Sequence, residues 1–138
     1  ILAVDEKTKS LVFAGNVPQN CLAQFMMANF DRVIDGAASA SDQIRSRIER
    51  ELGKESLQAT SACLAVSCVG RRLVLGARTD EEIEAIAQSL GSSTSLIGFY
   101  SYGELAPTIQ GAPCDLHNQS MTLMNVFEMQ MNSEKKAA

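Results

Sequence analysis

Three short stretches hold the side chains of this chain that could do chemistry. The first, "SCVGRR", places Arg71 and Arg72 just beyond Gly70, where an apolar strand should end. Ligands of α/β sheets often sit at the C-terminal ends of strands, and a planar guanidinium fork suits a carboxylate or phosphate. The alternative is a solvated turn in which an arginine pairs with Glu81 or Glu82. The second, "GFYSYGEL", brackets both tyrosines of the chain with Gly98 and Gly103 and adds Glu104. In an unbroken strand Tyr100, Tyr102 and Glu104 share one face, and Phe99, Ser101 and Gly103 the other. Two phenols and an acid suit the wall of a polar site, and the glycines permit close approach of a ligand or a bulge. An edge strand with solvated tyrosines is the plainer possibility. The third, "CDLHNQS", holds the only histidine, His117, with Asp115 before it and Asn118 and Gln119 after it.

Other chemistries have less support. Cys114 and His117 have metal-like spacing, but Cys63 and Cys68 lie an odd number of residues apart and face opposite sides of one strand. They cannot complete one zinc site. Cys68 or Cys114 with His117 could make a nucleophile, yet only the arginines after Cys68 would lower a thiol pKa. The chain has no phosphate-cradling glycine loop, and its six methionines read as adaptable core filler. No catalytic constellation emerges, so no enzyme is expected. A net charge of −4 without a basic block argues against nucleic acid, whose phosphates need a positive face. No apolar run reaches the roughly 20 residues that cross a bilayer, and no signal peptide is present. The four cysteines are too irregular for a disulfide framework, so reduced thiols and a cytoplasmic location are expected.

The positioning elements follow from periodicity. At 138 residues and 46% apolar composition, one domain with its own core is expected. "ILAVD" and "LVFAGNV" flank a charged turn and predict a hairpin; a chain opening on such a strand suggests a fragment. "CLAQFMMA" predicts a third short strand. Val33, Ala37, Ala40, Ile44 and Ile48 predict one face of a long helix, capped by Asn29 or Asp31 and ended by Gly53. Gly36 within it suggests close approach of a strand or ligand. "TSACLAVSCV", apolar at both parities, predicts a strand covered on both faces, and "GRRLVLGAR" a loop with a short helical turn. Thr79 and Glu82 form a capping box for a second helix with the stripe Ile83, Ile86, Ala87 and Leu90. "SLIGFYSYGEL" and "MTLMNVFEM" predict strands joined by a long loop. The result is an α+β domain with a largely antiparallel mixed sheet and two main helices, in the order β-β-β-α-β-α-β-β. It spans residues 1–131, with 132–138 as a frayed tail or linker.

Four segments in register, "ANFDRVIDGAASA", "LAVSCVGRRLVLG", "GFYSYGELAP" and "CDLHNQSMTL", closely resemble the C-terminal domain of FIST (F-box and intracellular signal transduction) proteins, from the first hairpin to Phe127. The family motifs fall on Asp31, Arg32 and Gly36; on Cys68, Gly70 and Arg71; on Gly98, Phe99, Tyr100, Gly103 and Glu104; and on His117 and Asn118. Asp115 stands where a glutamate is common, and "MMANF" and "LMNVFEM" drift from the usual pattern. The resemblance implies a cytoplasmic, mostly bacterial sensory module that binds a small ligand such as an amino acid. Its partners would be a FIST N-terminal domain, absent from this sequence, and a signalling output domain or kinase. On that footing Arg71 would hold a ligand carboxylate and Glu104 an ammonium, with Tyr100, Tyr102 and Asn118 fixing orientation. No cofactor is required. Some FIST relatives bind haem and answer nitric oxide, which would make His117 an axial ligand; a pure protein-interaction module is the remaining alternative. The ligand hypothesis requires the three chemical stretches to converge on one hollow.

Overall fold

The computed structural model describes residues 1–107, 109 and 111–128; the expected tail, 132–138, lies outside them. Strand β1 (Ala3–Asp5) pairs antiparallel with β2 (Ser10–Val12), Ala3 opposite Val12. Asp5 closes their turn by accepting from the amides of Lys7 and Thr8. Helix α1 (Phe30–Leu52) begins where Asn29 Oδ1 accepts from the Arg32 amide at 3.0 Å. It ends at Gly53, whose φ of 94° is open to glycine at little cost. A 3-10 turn leads to β3 (Ser61–Cys68), which runs directly into α2 (Val69–Leu75). After a second 3-10 turn come α3 (Thr79–Leu90), β4 (Thr94–Ser101), β5 (Glu104–Pro107), β6 (Cys114–His117) and β7 (Met121–Phe127).

β3 is the middle strand of the main sheet, parallel to β4 and antiparallel to β7. Parallel neighbours need a crossover connection, and α2 and α3 supply it. β5 and β6 form a separate antiparallel ladder. One face of the main sheet lies under α1 and α3, around a core of Ala37, Cys63, Ala65, Ile86 and Leu90. The helices are laced by Arg45 donating to the Ser89 carbonyl and Ser89 to Asp42. The inner face of α1 is the one its periodicity predicts, with Val33, Ala37, Ala40, Ile44 and Ile48 all turned from solvent. Mixed helix and strand, with three antiparallel pairings and one parallel, make this an α+β fold.

Several elements depart from expectation. "CLAQFMMA" forms no strand; residues 21–29 are irregular and exposed because no strand edge pairs with them. "GRRLVLGAR" is helical over most of its length. "SLIGFYSYGEL" breaks at Tyr102–Gly103, sending β4 and β5 into different ladders. The long loop before β7 contains β6. The capping box is absent: Thr79 Oγ1 donates to the Gly76 carbonyl at 2.6 Å, and Glu82 turns into the core. Ile83 and Ala87 consequently face outward, and the buried stripe of α3 is Glu82, Ile86 and Leu90.

Candidate functional site

Because α2 starts at the residue directly after β3, Arg71 falls in its first turn, at the C-terminal edge of the main sheet. Arg71 is only 6% exposed. Nε and Nη2 both reach Glu82 Oε2, at 2.9 and 2.8 Å. Nη2 also donates to the Val33 carbonyl at 2.6 Å, and Nη1 to that of Gln119 at 3.5 Å. Glu82, with no exposed surface, uses Oε1 to accept from Ser67 at 2.9 Å and Tyr100 at 3.1 Å. One arginine and one glutamate therefore tie together α1, α2, α3, β3, β4 and the turn before β7. Burial, then the charge of Glu82 and its hydrogen bond, push the Tyr100 phenol up to about 12; the charges of Arg72 and Arg71 oppose this. The exposed Arg72 guanidinium lies 5.4 Å from the centre of the Tyr100 ring, a cation–π contact.

A second carboxylate sits on the same edge. Glu104 is 1% exposed. Ser101 donates to its Oε1 at 2.6 Å and Ser120 to its Oε2 at 2.8 Å. Among the described residues no cation forms an ion pair with it. His117 is its cross-strand partner on β6 and donates through Nε2–H to the Ala106 carbonyl at 2.9 Å. The two carboxylates are joined through Gln119–Ser120: Gln119 offers its carbonyl to Arg71, while Ser120 bonds Glu104 and accepts from the Cys68 amide. Gly70 has a purpose here, since a Cβ at that position would meet the Gln119 side chain.

The three stretches thus converge, but on a filled hydrogen-bonded clasp rather than a hollow. Arg71 and Tyr100 meet at Glu82; Glu104 and His117 are neighbours; Asn118 is exposed next to them, and Tyr102 is 92% exposed. The expected face shared by Tyr100, Tyr102 and Glu104 is not formed, because the break at Tyr102–Gly103 pairs Glu104 with Ser101 instead. The Arg71 fork is occupied by Glu82, so the pairing of an arginine with Glu82 is the alternative that holds. Gly98 makes room for the backbone of β3 at Ala65, whereas a Cβ at Gly36 would lie 4.0 Å from Arg71 Nη1, an ordinary contact, so the expected close approach there is not a tight one. Ser67 and Ser120 are not singled out by the sequence, and Glu82 is legible there as an arginine's partner but not as a fully buried one. The signal of its burial is that it lies four and eight residues before Ile86 and Leu90, on their face of the helix.

A groove lies elsewhere among the described residues. It encloses about 400 Å³ between α1 and β7, lined by Ile44, Ile48, Leu52, Leu123 and Phe127 among others. Among the described residues, no cluster of three or more His, Cys, Asp or Glu side chains could hold a metal. All four cysteines are free, and burial raises the Cys63 thiol. The His117 Nε2 is spent on Ala106, so the geometry does not offer that nitrogen to a haem iron. No helix among the described residues is long and apolar enough to cross a membrane.

Residues 1–107 match the family model described as the FIST C domain, and the chain belongs to that family. This is a signal-transduction family of sensory type rather than a known enzyme family. His117 and Asn118 lie beyond the matched residues. No curated protein and no solved structure matches the chain at a significant level.

Proposed function

We propose that this domain senses a small polar molecule bearing an amino group, such as an amino acid, at the Glu104 end of the clasp. The observation that supports this is a buried carboxylate held by two hydroxyls and, among the described residues, no cation. Such a charge is costly to bury, and a ligand ammonium would offset that cost with charge-assisted hydrogen bonds. His117, paired with Glu104 across the β5–β6 ladder, and the exposed Tyr102 and Asn118 orient the guest in this reading. Arg71 and Tyr100 act behind them as a brace. Entry requires the exposed Tyr102–Gly103 turn to move, and that movement shifts Ser101 and Ser120, hence the strand ends. A FIST N-terminal domain, or an output domain or kinase, reads the shift.

The experiment is a thermal-shift screen of the purified chain against amino acids, ethylamine and the matching carboxylic acids. Amine-bearing compounds should raise the melting temperature; at a hundredfold excess over Kd the gain is about 2.7 kcal/mol. Glu104→Gln should abolish the response. A response that survives Glu104→Gln, or is confined to compounds without an amine, overturns the proposal. Haem added in parallel tests the gas-sensing alternative: a Soret band altered by His117→Ala would favour it.

A further inference from the structure

We propose that two copies of this chain associate by exchanging their N-terminal arms, each arm lying across the uncovered face of the partner's main sheet. Among the described residues two apolar surfaces of one chain are left without cover, a sheet face and the segment Ser10–Asn29, and neither carries a charge. The first is the sheet face turned away from α1 and α3. Leu64 and Val66 of β3 run down its middle, flanked by Ile97 and Phe99 of β4 and Met124 and Val126 of β7. Ile97 is 71% and Phe99 58% exposed. None of the positions sharing this face carries a charge. A parallel strand pair is ordinarily covered on both faces, and exposed sheets ordinarily carry charges that discourage association.

The second surface is the arm. Of residues 1–30 only Asp5 is other than exposed. From Ser10 to Asn29 the sequence "SLVFAGNVPQNCLAQFMMAN" contains no charged side chain. Leu22, Phe25, Met26 and Met27 stand almost wholly in solvent. An uncharged segment of this kind is not built to face water.

Size and charge favour a second copy as the occupant. A stable interface buries roughly 800 Å² per partner. The face alone offers about 500 Å² of apolar surface, judging from side-chain areas of this order, and so falls short as a face-to-face contact. In an exchange each copy contributes a face and an arm, on the order of 1,000 Å², and the two contacts close under one two-fold axis. The chain is acidic overall, with a net charge of −4. Contact through two uncharged surfaces keeps the like charges of the copies apart. Reach is adequate, since residues 13–29 can extend over roughly 50 Å.

The test is the molar mass of the full chain by light scattering across micromolar concentrations. The wild-type chain should be dimeric. Phe99→Asp, on the face, and Met26→Asp, on the arm, should each weaken the dimer about a hundredfold or more while leaving the helical circular dichroism unchanged, since both side chains are exposed. Mixing the two variants should give a weak heterodimer, because one arm–face contact remains intact. A wild-type monomer overturns the proposal, whether its arm is protected from thermolysin by its own sheet or its face is taken by a FIST N-terminal domain. A dimer broken by Phe99→Asp but untouched by Met26→Asp also overturns it, because that pattern means face-to-face packing. Neither variant touches Glu104, so this outcome is independent of the ligand experiment.

Discussion

Replacing Arg71 by methionine should be among the most damaging single changes to this fold, and a second substitution should repair part of it. Methionine fills much of the space of the arginine stem but leaves Glu82 ionised, fully buried and held only by Ser67 and Tyr100. At the 2.8 Å separation of the pair, an effective dielectric of about 20 gives roughly 6 kcal/mol of attraction as an upper limit. Removing one partner of a buried pair costs about 3–5 kcal/mol in practice. Loss of the 2.6 Å bond to the Val33 carbonyl adds about 1 kcal/mol. For a domain with a total stability of about 5–15 kcal/mol, that leaves a marginal protein, and the melting temperature should fall by 10 °C or more. Glu82→Gln in the same chain removes the stranded charge while keeping an acceptor for Ser67 and Tyr100. The double variant should therefore be more stable than Arg71→Met alone, by about 1–3 kcal/mol. Urea unfolding of the wild type, both singles and the double measures this directly. A loss below 1 kcal/mol in Arg71→Met, or a double variant weaker than that single, would refute the account of the clasp.

Two further outcomes follow from the same edge of the sheet. Gly98→Ala should fail to fold or lose several kcal/mol, because its Cβ would run into the Ala65 carbonyl of the neighbouring strand, whereas Gly70→Ala meets only the end of the Gln119 side chain and should be milder; chemical denaturation ranks them. Tyr100 is easier to ionise in the unfolded chain, near 10, than in the fold, at about 12. Its contribution is thus complete below pH 10 and lost as the pH rises to 12, by about 1–2 kcal/mol after allowance for partial exposure; Tyr100→Phe should flatten that stretch of the stability–pH curve.

Local signals carried much of the architecture. The hairpin, the Asn29 and Gly53 caps of α1, its inner face and the strands β3, β4 and β7 all follow from periodicity and turn chemistry. What could not be read locally depends on partners distant in sequence. Glu82 looks like a capping-box acid until Arg71 is placed beside it, and its inward position puts it, rather than Ile83 and Ala87, on the buried stripe of α3 with Ile86 and Leu90. "SLIGFYSYGEL" reads as one strand because alternation cannot reveal that Ser101 and Ser120 draw Glu104 out of register. "CLAQFMMA" has strand composition, but a strand needs an edge, and this chain supplies none to it. Likewise the third chemical stretch was correctly grouped with the other two, yet the converging groups satisfy one another instead of lining a cavity.

The two carboxylates at the sheet edge are therefore unequal, and the difference bears on what the domain does. Glu82 has a guanidinium, a hydroxyl and a phenol; it braces the fold and has nothing left to offer a ligand. Glu104 has two hydroxyls and, among the described residues, no cation to balance its charge. Groups kept for binding are often a burden to the unbound protein, and that burden can be measured. Glu104→Gln removes the charge while preserving shape and an acceptor, so in the unliganded domain it should be neutral or stabilising by about 1 kcal/mol. Glu82→Gln, which strands the Arg71 charge, should instead destabilise by about 2 kcal/mol or more. If the two substitutions cost the same, Glu104 is simply another brace, and a sensing site at that end of the clasp loses its physical motive.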